Sequence, residues 1–384
     1  MKQKKIQSNL LLLLIIIVGV VLRISGVVNI DLKGDFAQHW QIASKITSGE
    51  KLPFLGPSAS VQTDLRMGPI YYYFLTLLYL ISFGNYKLAI IIFSLFNIFS
   101  ILIFYQLVKI WFGKDVGLMA SGLLAISRYG VEFGNYPWNP YFLPFFLILA
   151  LYSLIKIQTD RRYFLLLSFS LGIAIQLHPS VFLILPVFLV GVFLLRKKIT
   201  IRWILLAIGI FCGLNLPFLV GEANQNFAGI QSGVSVFLEK TEEECNFQYW
   251  LKNHGHGERC FHFIRNPLFF LRFFAYSLFG TRHLLVLPLI LAMLIYFILR
   301  IKIRLKKFIL LWLAFPLLVF LVYSSNIYLH YFLIYIPLPF IIFSLVVKDL
   351  RKRFSWGDKL FKVLLAIVIV ANICGNYHLL ISPR

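Results

Sequence analysis

Acidic residues are rare in this sequence of 384 residues, and two of them, Asp31 and Asp35, stand just after an apolar segment, where a carboxylate could do chemistry. The residues that follow them predict an amphipathic helix from Asp35 to Thr47. A carboxylate at the boundary between water and an apolar cavity is suited to remove a proton from a hydroxyl group as a general base. Capping of the helix N-terminus and favourable interaction with the helix dipole are the alternative role of Asp35.

A second group of candidates follows Arg66, where Gly68 and Pro69 precede three consecutive tyrosines, Tyr71 to Tyr73. Glycine and proline at this point define the start of a short Tyr-rich helix. The tyrosines are typical of an aromatic belt at a membrane interface. They are also suited to the wall of a sugar-binding site, because each combines an apolar ring face with a hydroxyl group.

Four basic side chains on the same predicted side of the membrane could stabilise a phosphate: Arg66, Arg128, His178 and His330. Arginine suits a phosphate best because its guanidinium group donates two parallel hydrogen bonds. Simpler roles remain open for all four. Arg66 could contact lipid headgroups, Arg128 could neutralise Glu132 one helical turn away, and each histidine could make a local hydrogen bond at a helix end.

The elements that position these residues are apolar helices. Hydrophobic residues make up 60% of the chain and charged residues 14%, against about 25% charged residues in ordinary soluble domains. The apolar runs are continuous rather than alternating, which excludes a membrane β-barrel, and a disordered or coiled-coil chain does not fit them. The sequence therefore predicts a polytopic membrane protein of the all-α class.

The net charge of +22 comes from basic residues that lie in short clusters between the apolar runs. This distribution is typical of cytoplasmic loops facing anionic lipids, and it argues against nucleic-acid binding. The six clusters are Lys2, Lys4, Lys5; Lys109, Lys114; Lys156, Arg161, Arg162; Arg196, Lys197, Lys198, Arg202; Arg300, Lys302, Arg304, Lys306, Lys307; and Lys348, Arg351, Lys352, Arg353, Lys359, Lys362.

Placing all six clusters on the cytoplasmic side predicts about 11 transmembrane helices in one domain over 1–384, with the N-terminus inside and the C-terminus outside. The Tyr-rich segment 69–83 is then a helix in the outer interface, because a crossing there would move later basic clusters outside. Two external loops are long, 29–86 with its interfacial helices and 221–283. The predicted spans are 9–28, 87–109, 116–134, 139–156, 163–178, 180–195, 203–220, 284–300, 308–325, 329–347 and 361–378.

The order of several short motifs resembles a known family. Gly34-Asp35, Leu55-Gly-Pro57, Gly68-Pro69 with its tyrosines and Phe83-Gly-Asn85 resemble the first external loop of GT-C glycosyltransferases. Among these the chain is similar to the protein O-mannosyltransferase group (glycosyltransferase family 39), which includes the aminoarabinose transferase acting on lipid A. The similarity continues through Tyr136-Pro-Trp138-Asn139-Pro140, Gln176-Leu-His178-Pro179 and His330-Tyr331 to Pro337.

This resemblance implies a hexosyl- or pentosyltransferase of the plasma (inner) membrane. It implies an inverting enzyme that uses a polyprenyl-phosphate sugar, with a lipid, glycan or protein acceptor at the external face and membrane lipids around it. Asp35 matches the residue that serves as general base. For such a reaction we expect donor-phosphate binding by Arg66, Arg128, His330 and Tyr331, and sugar or acceptor binding by His39, Tyr71, Tyr72, Trp138, Asn139 and His178.

The sequence departs from the family pattern at two acidic positions. Phe36 follows Asp35 where the family often has a second acidic residue, and Asn139 stands where a second-loop Asp is common. Hard divalent cations need several oxygen ligands. Tight binding of a divalent metal is therefore not supported by the residues present, although a metal remains open, and no cofactor is indicated.

The remaining polar signal is in the second external loop, where Cys245 and Cys260 lie fifteen residues apart among several histidines. A disulfide between these cysteines is predicted for an oxidising compartment. A zinc site is the alternative, although the ligands lack regular spacing. Cys212 and Cys374 lie in apolar runs and are predicted to behave as small hydrophobic residues.

Two other functions remain open at this stage. An O-antigen polymerase or ligase also acts externally on lipid-linked glycans, but such enzymes lack a first loop that begins with Asp. A transporter or flippase of lipid-linked glycans predicts internal symmetry and charges in mid-helix. Neither feature is evident apart from Glu132 near a predicted helix end.

Overall fold

The structure is a computed structural model that describes residues 2–59, 64–195, 199–238, 261–323 and 327–381. Within these ranges the regular elements are helices, apart from one isolated β-bridge between Ser58 and Arg66. The all-α class is therefore confirmed.

Ten helices lie among the described residues up to Asn224. Their bounds are α1 Lys2–Ile24, α2 Gly34–Thr47, α3 Ile70–Ile81, α4 Tyr86–Phe112, α5 Lys114–Ile126, α6 Arg128–Gly134, α7 Leu143–Lys156, α8 Tyr163–Leu177, α9 Leu185–Leu195 and α10 Ile201–Asn224. Short 3₁₀ helices at Val27–Asn29, Asn139–Phe142 and Pro179–Leu183 lead into or out of them. The predicted amphipathic and Tyr-rich helices correspond to α2 and α3.

Six further helices lie among the described residues after Asn224. Their bounds are α11 Ala228–Leu238, α12 His262–Phe279, α13 Leu287–Arg300, α14 Lys306–Val322, α15 Pro337–Arg353 and α16 Gly357–Ile381, with 3₁₀ helices at Leu284–Val286 and Leu329–Tyr335. Helices α11 and α12 lie in the segment that the sequence predicted as a polar loop, 221–283. Cys245 and Cys260, with the predicted disulfide, lie outside the described residues.

Five helices in the described ranges are long and apolar enough to cross a membrane, and the number rises to seven if two bent pairs each count as one span. The bent pairs are α12 with the turn and helix after it, at 87°, and Leu329–Tyr335 with α15, at 58°. Shorter apolar helices include α3 and α8. A multi-pass membrane protein is thus confirmed, while the number of 11 spans stays a prediction.

One continuous apolar core holds the bundle together. Helix α4 packs on α5 and α7, α8 packs on α7 and α10, and α15 packs on α5. Trp312 is fully buried, and its indole N–H donates to the carbonyl of Ile334 (3.1 Å). This bond gives a hydrogen-bond partner to one backbone carbonyl of the Leu329–Tyr335 segment. Inside a bilayer no water is available to take that role.

Arg23 fixes the break between α5 and α6, although it lies in an apolar helix and is only 1% exposed. Its guanidinium group donates to the carbonyls of Ala125 (3.0 Å), Gly130 (3.0 Å) and Gly19 (3.2 Å). Carbonyls at the end of α5 have no partner within that helix, so a buried charged donor can satisfy them. Arg23 thereby sets the direction of α6, the helix that carries Arg128 and Glu132.

We predict that Arg23→Met lowers the free energy of unfolding by about 3 kcal/mol or more, because at least two buried carbonyls would lose their donor. Thermal unfolding of the detergent-purified protein measures the effect. Arg202→Met is the matched control, since Arg202 is exposed at the start of α10 and its loss should change the unfolding temperature little. Equal unfolding temperatures of Arg23→Met and the wild type would contradict this role.

The bundle has two chemically different ends. Helix α4 has 27 residues and is therefore about 40 Å long. Its N-terminus lies beside Val28, whose carbonyl accepts a hydrogen bond from Lys87 (3.0 Å), and Asp31 and Asp35 follow Val28 closely in the chain. Its C-terminus lies with Lys348, which donates to the Phe112 carbonyl (3.2 Å). Asp31 and Asp35 thus lie near one end of α4 and Lys348 lies at the other.

Candidate active site

A cavity of about 500 Å³ lies at the acidic end of the bundle. Its polar lining comes from Asp31, Lys33 and Asp35 at the start of α2 and from Glu132 on α6. Its aromatic lining comes from Tyr136, Trp138 and Tyr141, which all lie in the segment between α6 and α7. Carboxylates therefore face aromatic rings across a space large enough for a small ligand.

Asp35 is placed by the way α2 begins and packs. The helix starts at Gly34, whose φ of +58° is a backbone conformation that favours glycine. Lys33 is the N-cap, and Asp35 lies in the first turn. Phe36 (0% exposed) and Trp40 (5%) fix the opposite face of the helix. The ring of Phe36 lies 5.5 Å from the ring of Tyr136. Phe36 therefore serves packing, and the Asp35 side chain stays exposed.

Tyr136 lies close enough to Asp35 for the carboxylate to affect it. Burial, and then the charge of Asp35, raise the pKa of the Tyr136 hydroxyl. The hydroxyl is thus neutral at physiological pH and can donate a hydrogen bond within the cavity.

Glu132 is held by two tyrosine hydroxyls. Tyr276 on α12 donates to one carboxylate oxygen (2.6 Å) and Tyr141 donates to the other (3.3 Å). These two hydrogen bonds hold the Glu132 side chain of α6 in one position at the wall of the cavity and link it to α12.

Two guanidinium groups flank the ring of Tyr276. The Arg282 guanidinium lies 4.5 Å from the ring centroid and the Arg128 guanidinium lies 5.5 Å from it. Arg128 also donates to the carbonyl of Gly280 (3.3 Å), the residue that ends α12 with a φ of +62°. No ion pair joins Arg128 to Glu132 in the described ranges. The two arginines thus lie one aromatic ring away from the cavity.

Trp138 connects the cavity to a cluster of histidines and tyrosines. Its ring lies 4.8 Å from the ring of His330, which lies 5.3 Å from His178 and 4.9 Å from Tyr331. The predicted site residues His330, His178 and Tyr331 thus form one cluster next to Trp138. The Leu329–Tyr335 turn supplies His330 and Tyr331, and the end of α8 supplies His178.

His178 and Asn139 make local hydrogen bonds of the kind a structural residue makes. The Nδ1 atom of His178 is 2.8 Å from the Ser180 hydroxyl and accepts from the Ser180 backbone N–H (3.2 Å). Asn139 is 5% exposed and donates to the carbonyl of Leu177 (3.1 Å). The Asn139 hydrogen bond joins the segment after α6 to the end of α8 and helps to fix the position of Trp138.

Tyr71, Tyr72 and His39 form a second aromatic group under α2. The His39 ring lies 5.2 Å from Tyr71 and 5.5 Å from Tyr72. Tyr71 is fully buried, and its hydroxyl donates to the carbonyl of Pro137 (3.0 Å). Arg66 is exposed and is near enough to Tyr72 to act on it electrostatically. The Tyr71 hydrogen bond thus helps to hold the segment that carries Trp138 in position.

His39 should make the fold sensitive to acid. Burial lowers the pKa of His39, and nearby Asp35 only partly opposes this effect. Because the folded-state pKa is below the ordinary value of 6.5, stability present above that pH is lost as the pH falls toward the folded-state pKa. We expect His39→Gln to reduce the loss of thermal stability between pH 7.5 and 5.5, measured by unfolding in detergent. An unchanged loss in the variant would assign the acid sensitivity to other groups.

Sequence reasoning missed several residues at this site: Glu132 as a cavity residue, Tyr136, Tyr141, Tyr276 and Arg282. The spacing of Arg128 and Glu132 left a pair between them open as an alternative to phosphate binding by Arg128, and it gave no indication that Glu132 lines the cavity. The described residues contain no group of three or more His, Cys, Asp or Glu side chains arranged to hold a metal ion. The site offers carboxylates, aromatic rings, hydroxyls and nearby guanidinium groups.

Comparison with known proteins relates this arrangement to one fold. Residues 66–220 match the family model of dolichyl-phosphate-mannose-protein mannosyltransferase. The crystal structure of ArnT from Cupriavidus metallidurans bound to undecaprenyl phosphate superposes with a TM-score of 0.58 and 15% identity, over 93% of this chain. The Archaeoglobus fulgidus oligosaccharyltransferase in its apo form superposes with a TM-score of 0.55 and 12% identity, over 98% of this chain. The chain has the GT-C glycosyltransferase fold.

This chain is shorter than the chains of these two structures. The chain spans 63% of the length of the ArnT chain and 56% of the oligosaccharyltransferase chain. No curated protein matches the sequence. The GT-C fold expected from the sequence motifs is thus confirmed, while the activity of the whole protein has to be argued from its site.

Proposed function

We propose that this chain is a membrane glycosyltransferase that moves a hexosyl or pentosyl unit from a polyprenyl-phosphate donor to a hydroxyl group of a lipid, glycan or protein. The cavity that places Asp35 opposite Tyr136, Trp138 and Tyr141 carries this proposal. The reaction takes place at the external face of the plasma membrane, with the N-terminus inside and the C-terminus outside. Two neighbours in fold support the lipid donor: the ArnT structure holds undecaprenyl phosphate, and a structure of the archaeal oligosaccharyltransferase AglB (TM-score 0.52, 12% identity) holds dolichol-phosphate.

In the proposed step, the Asp35 carboxylate takes the proton of the acceptor hydroxyl. The acceptor oxygen attacks the anomeric carbon, the bond from that carbon to the donor phosphate oxygen breaks, and polyprenyl phosphate leaves with the electron pair. Attack from the face opposite the phosphate inverts the anomeric configuration. Asp35 suits the role because its side chain is exposed to the cavity while α2 is fixed by Phe36 and Trp40. A base placed in this way contributes about 10²–10⁴-fold to the rate.

The leaving phosphate needs positive charge. Arg128 and Arg282 supply it in our proposal, because both lie against Tyr276, whose hydroxyl bonds to the cavity residue Glu132. Guanidinium groups bind phosphate oxygens in pairs. His330 and Tyr331 lie behind Trp138 and are proposed as further polar contacts of the donor headgroup. Arg66 lies beside Tyr72 and is proposed to hold a donor phosphate that enters along α3.

The sugar is proposed to stack on the aromatic wall of the cavity. Trp138, Tyr136 and Tyr141 present ring faces and hydroxyl groups to that space, a combination that suits the apolar face and the hydroxyls of a sugar. His39, Tyr71, Tyr72, Asn139 and His178 then act on the sugar or acceptor mainly by holding the wall in place, since their contacts are with each other, with Ser180 and with backbone carbonyls.

Donor turnover tests this function directly. The purified protein in nanodiscs is incubated with a radiolabelled polyprenyl-phosphate sugar, and released polyprenyl phosphate is separated from intact donor. Time-dependent release that increases when acceptor lipids or peptides are added supports a transferase. Movement of intact donor between the leaflets without cleavage of the sugar–phosphate bond would contradict it and favour a flippase.

A further inference from the structure

A second pocket, of about 220 Å³, lies at the end of the bundle opposite the candidate active site. The positions of its residues on two different helices show that it lies at the opposite end. Its residues Trp111 and Phe112 are the last of α4, about 40 Å from the start of that helix. Its residue Lys348 lies near the end of α15, and the turn before that helix carries the site residue His330.

The pocket combines donors of hydrogen bonds with an apolar lining. Arg304 and Lys348 contribute charge, and Phe112, Leu305 and Leu345 contribute apolar surface. Lys348 uses one donor on the carbonyl of Phe112 (3.2 Å), which leaves two of its three for a ligand. The indole N–H of Trp111 is buried and has no acceptor among the residues that the structure describes. Several donors and no carboxylate line the pocket, which suits an anion.

Two carboxylates near this end are engaged with other groups. Asp349 accepts from the Tyr296 hydroxyl (2.7 Å) and from Arg353 (3.2 Å). Asp358 pairs with Arg351 (2.8 Å) and Lys362 (3.3 Å). Within the described ranges no ion pair involves Arg304 or Lys348. The positive charge of this pocket is thus left for a ligand from outside the chain.

We propose that this pocket binds the phosphodiester headgroup of an anionic phospholipid. Its volume is smaller than that of sites for drug-sized ligands, about 300–1,000 Å³, and matches a headgroup better than a whole lipid. The apolar lining lies at helix ends, the level at which tryptophan and basic side chains meet lipid headgroups. Basic pockets between membrane helices are known to hold such headgroups. A bound lipid would connect α4, the 301–305 segment and α15.

Native mass spectrometry of the full chain tests the proposal with defined lipids. Phosphatidylglycerol is added to the delipidated protein, and phosphatidylcholine serves as the neutral comparison. We expect Arg304→Gln with Lys348→Gln to weaken phosphatidylglycerol binding about 30-fold, from the usual contribution of two basic residues at an anionic surface. The matched control is Lys302→Gln with Lys307→Gln, which removes the same charge from exposed positions in the same region outside the pocket and should change binding less than about 3-fold.

Equal phosphatidylglycerol binding by the pocket variant and its control would overturn the proposal, as would equal binding of phosphatidylcholine. Displacement of the lipid by millimolar inorganic phosphate would assign the pocket to a free anion, and preferential binding of undecaprenyl phosphate would assign it to the carrier lipid. Either result would also overturn it. If the double variant does not fold, the single Arg304→Gln change at an exposed side chain replaces it, with an expected loss of about 5-fold.

Discussion

Asp35→Asn is expected to lower sugar transfer by about 10²–10⁴-fold, the range that a positioned general base contributes. The amide has nearly the shape of the carboxylate but does not take up a proton at neutral pH, so the acceptor hydroxyl would have to attack without a base. The fold should survive, because Asp35 is exposed and the buried residues Phe36 and Trp40 hold α2 in place. The initial rate of polyprenyl phosphate release in nanodiscs measures the loss.

Asp31→Asn is the matched control for this change. Asp31 lines the same cavity and carries the same charge, but it lies near the Lys33 ammonium group (3.7 Å) in an exposed pair. We expect a reduction of less than about 10-fold, since the change removes only a weak surface interaction. Comparable losses in both variants would indicate a general effect of cavity charge, and full turnover by Asp35→Asn would remove Asp35 from the mechanism.

The parts of the site that follow from local pattern could be predicted from the sequence. Asp35 starts an amphipathic helix and Gly68-Pro69 starts a Tyr-rich one, because glycine, proline and the spacing of apolar residues act within a few positions. The structure has these helices as Gly34–Thr47 and Ile70–Ile81. Motif order was also informative, since it placed Trp138, His178 and His330 at one site, and their rings are indeed neighbours.

The parts that depend on tertiary packing were missed. Tyr276 and Glu132 are 144 residues apart, and α12 lies in the segment 221–283 that was predicted to be a polar loop. Arg265, Asn266 and Arg272 interrupt the apolar pattern of this helix. A signal was present, however. Arg265 and Arg272 lie seven residues apart, hence on one face of a helix, and the many Phe residues between them favour a buried helix over a loop. Charge alone gives no indication of whether a residue in an apolar run is catalytic, as Arg23 illustrates by binding only carbonyls.

Replacement of Arg282 by glutamine should lower turnover about 10²-fold, the lower part of the range for losing one preorganised group that stabilises developing charge. Arg282 is chosen over Arg128 because it is exposed, whereas Arg128 also binds the carbonyl of Gly280 at the end of α12. Arg282→Lys should retain an intermediate rate, since lysine keeps the charge but not the paired donors. Arg300→Gln provides the control, an exposed arginine at the far end of α13. Because the phosphate gains charge as it leaves, kcat should fall more than affinity for the donor, and a change in affinity alone would place Arg282 in donor binding rather than in the transfer step.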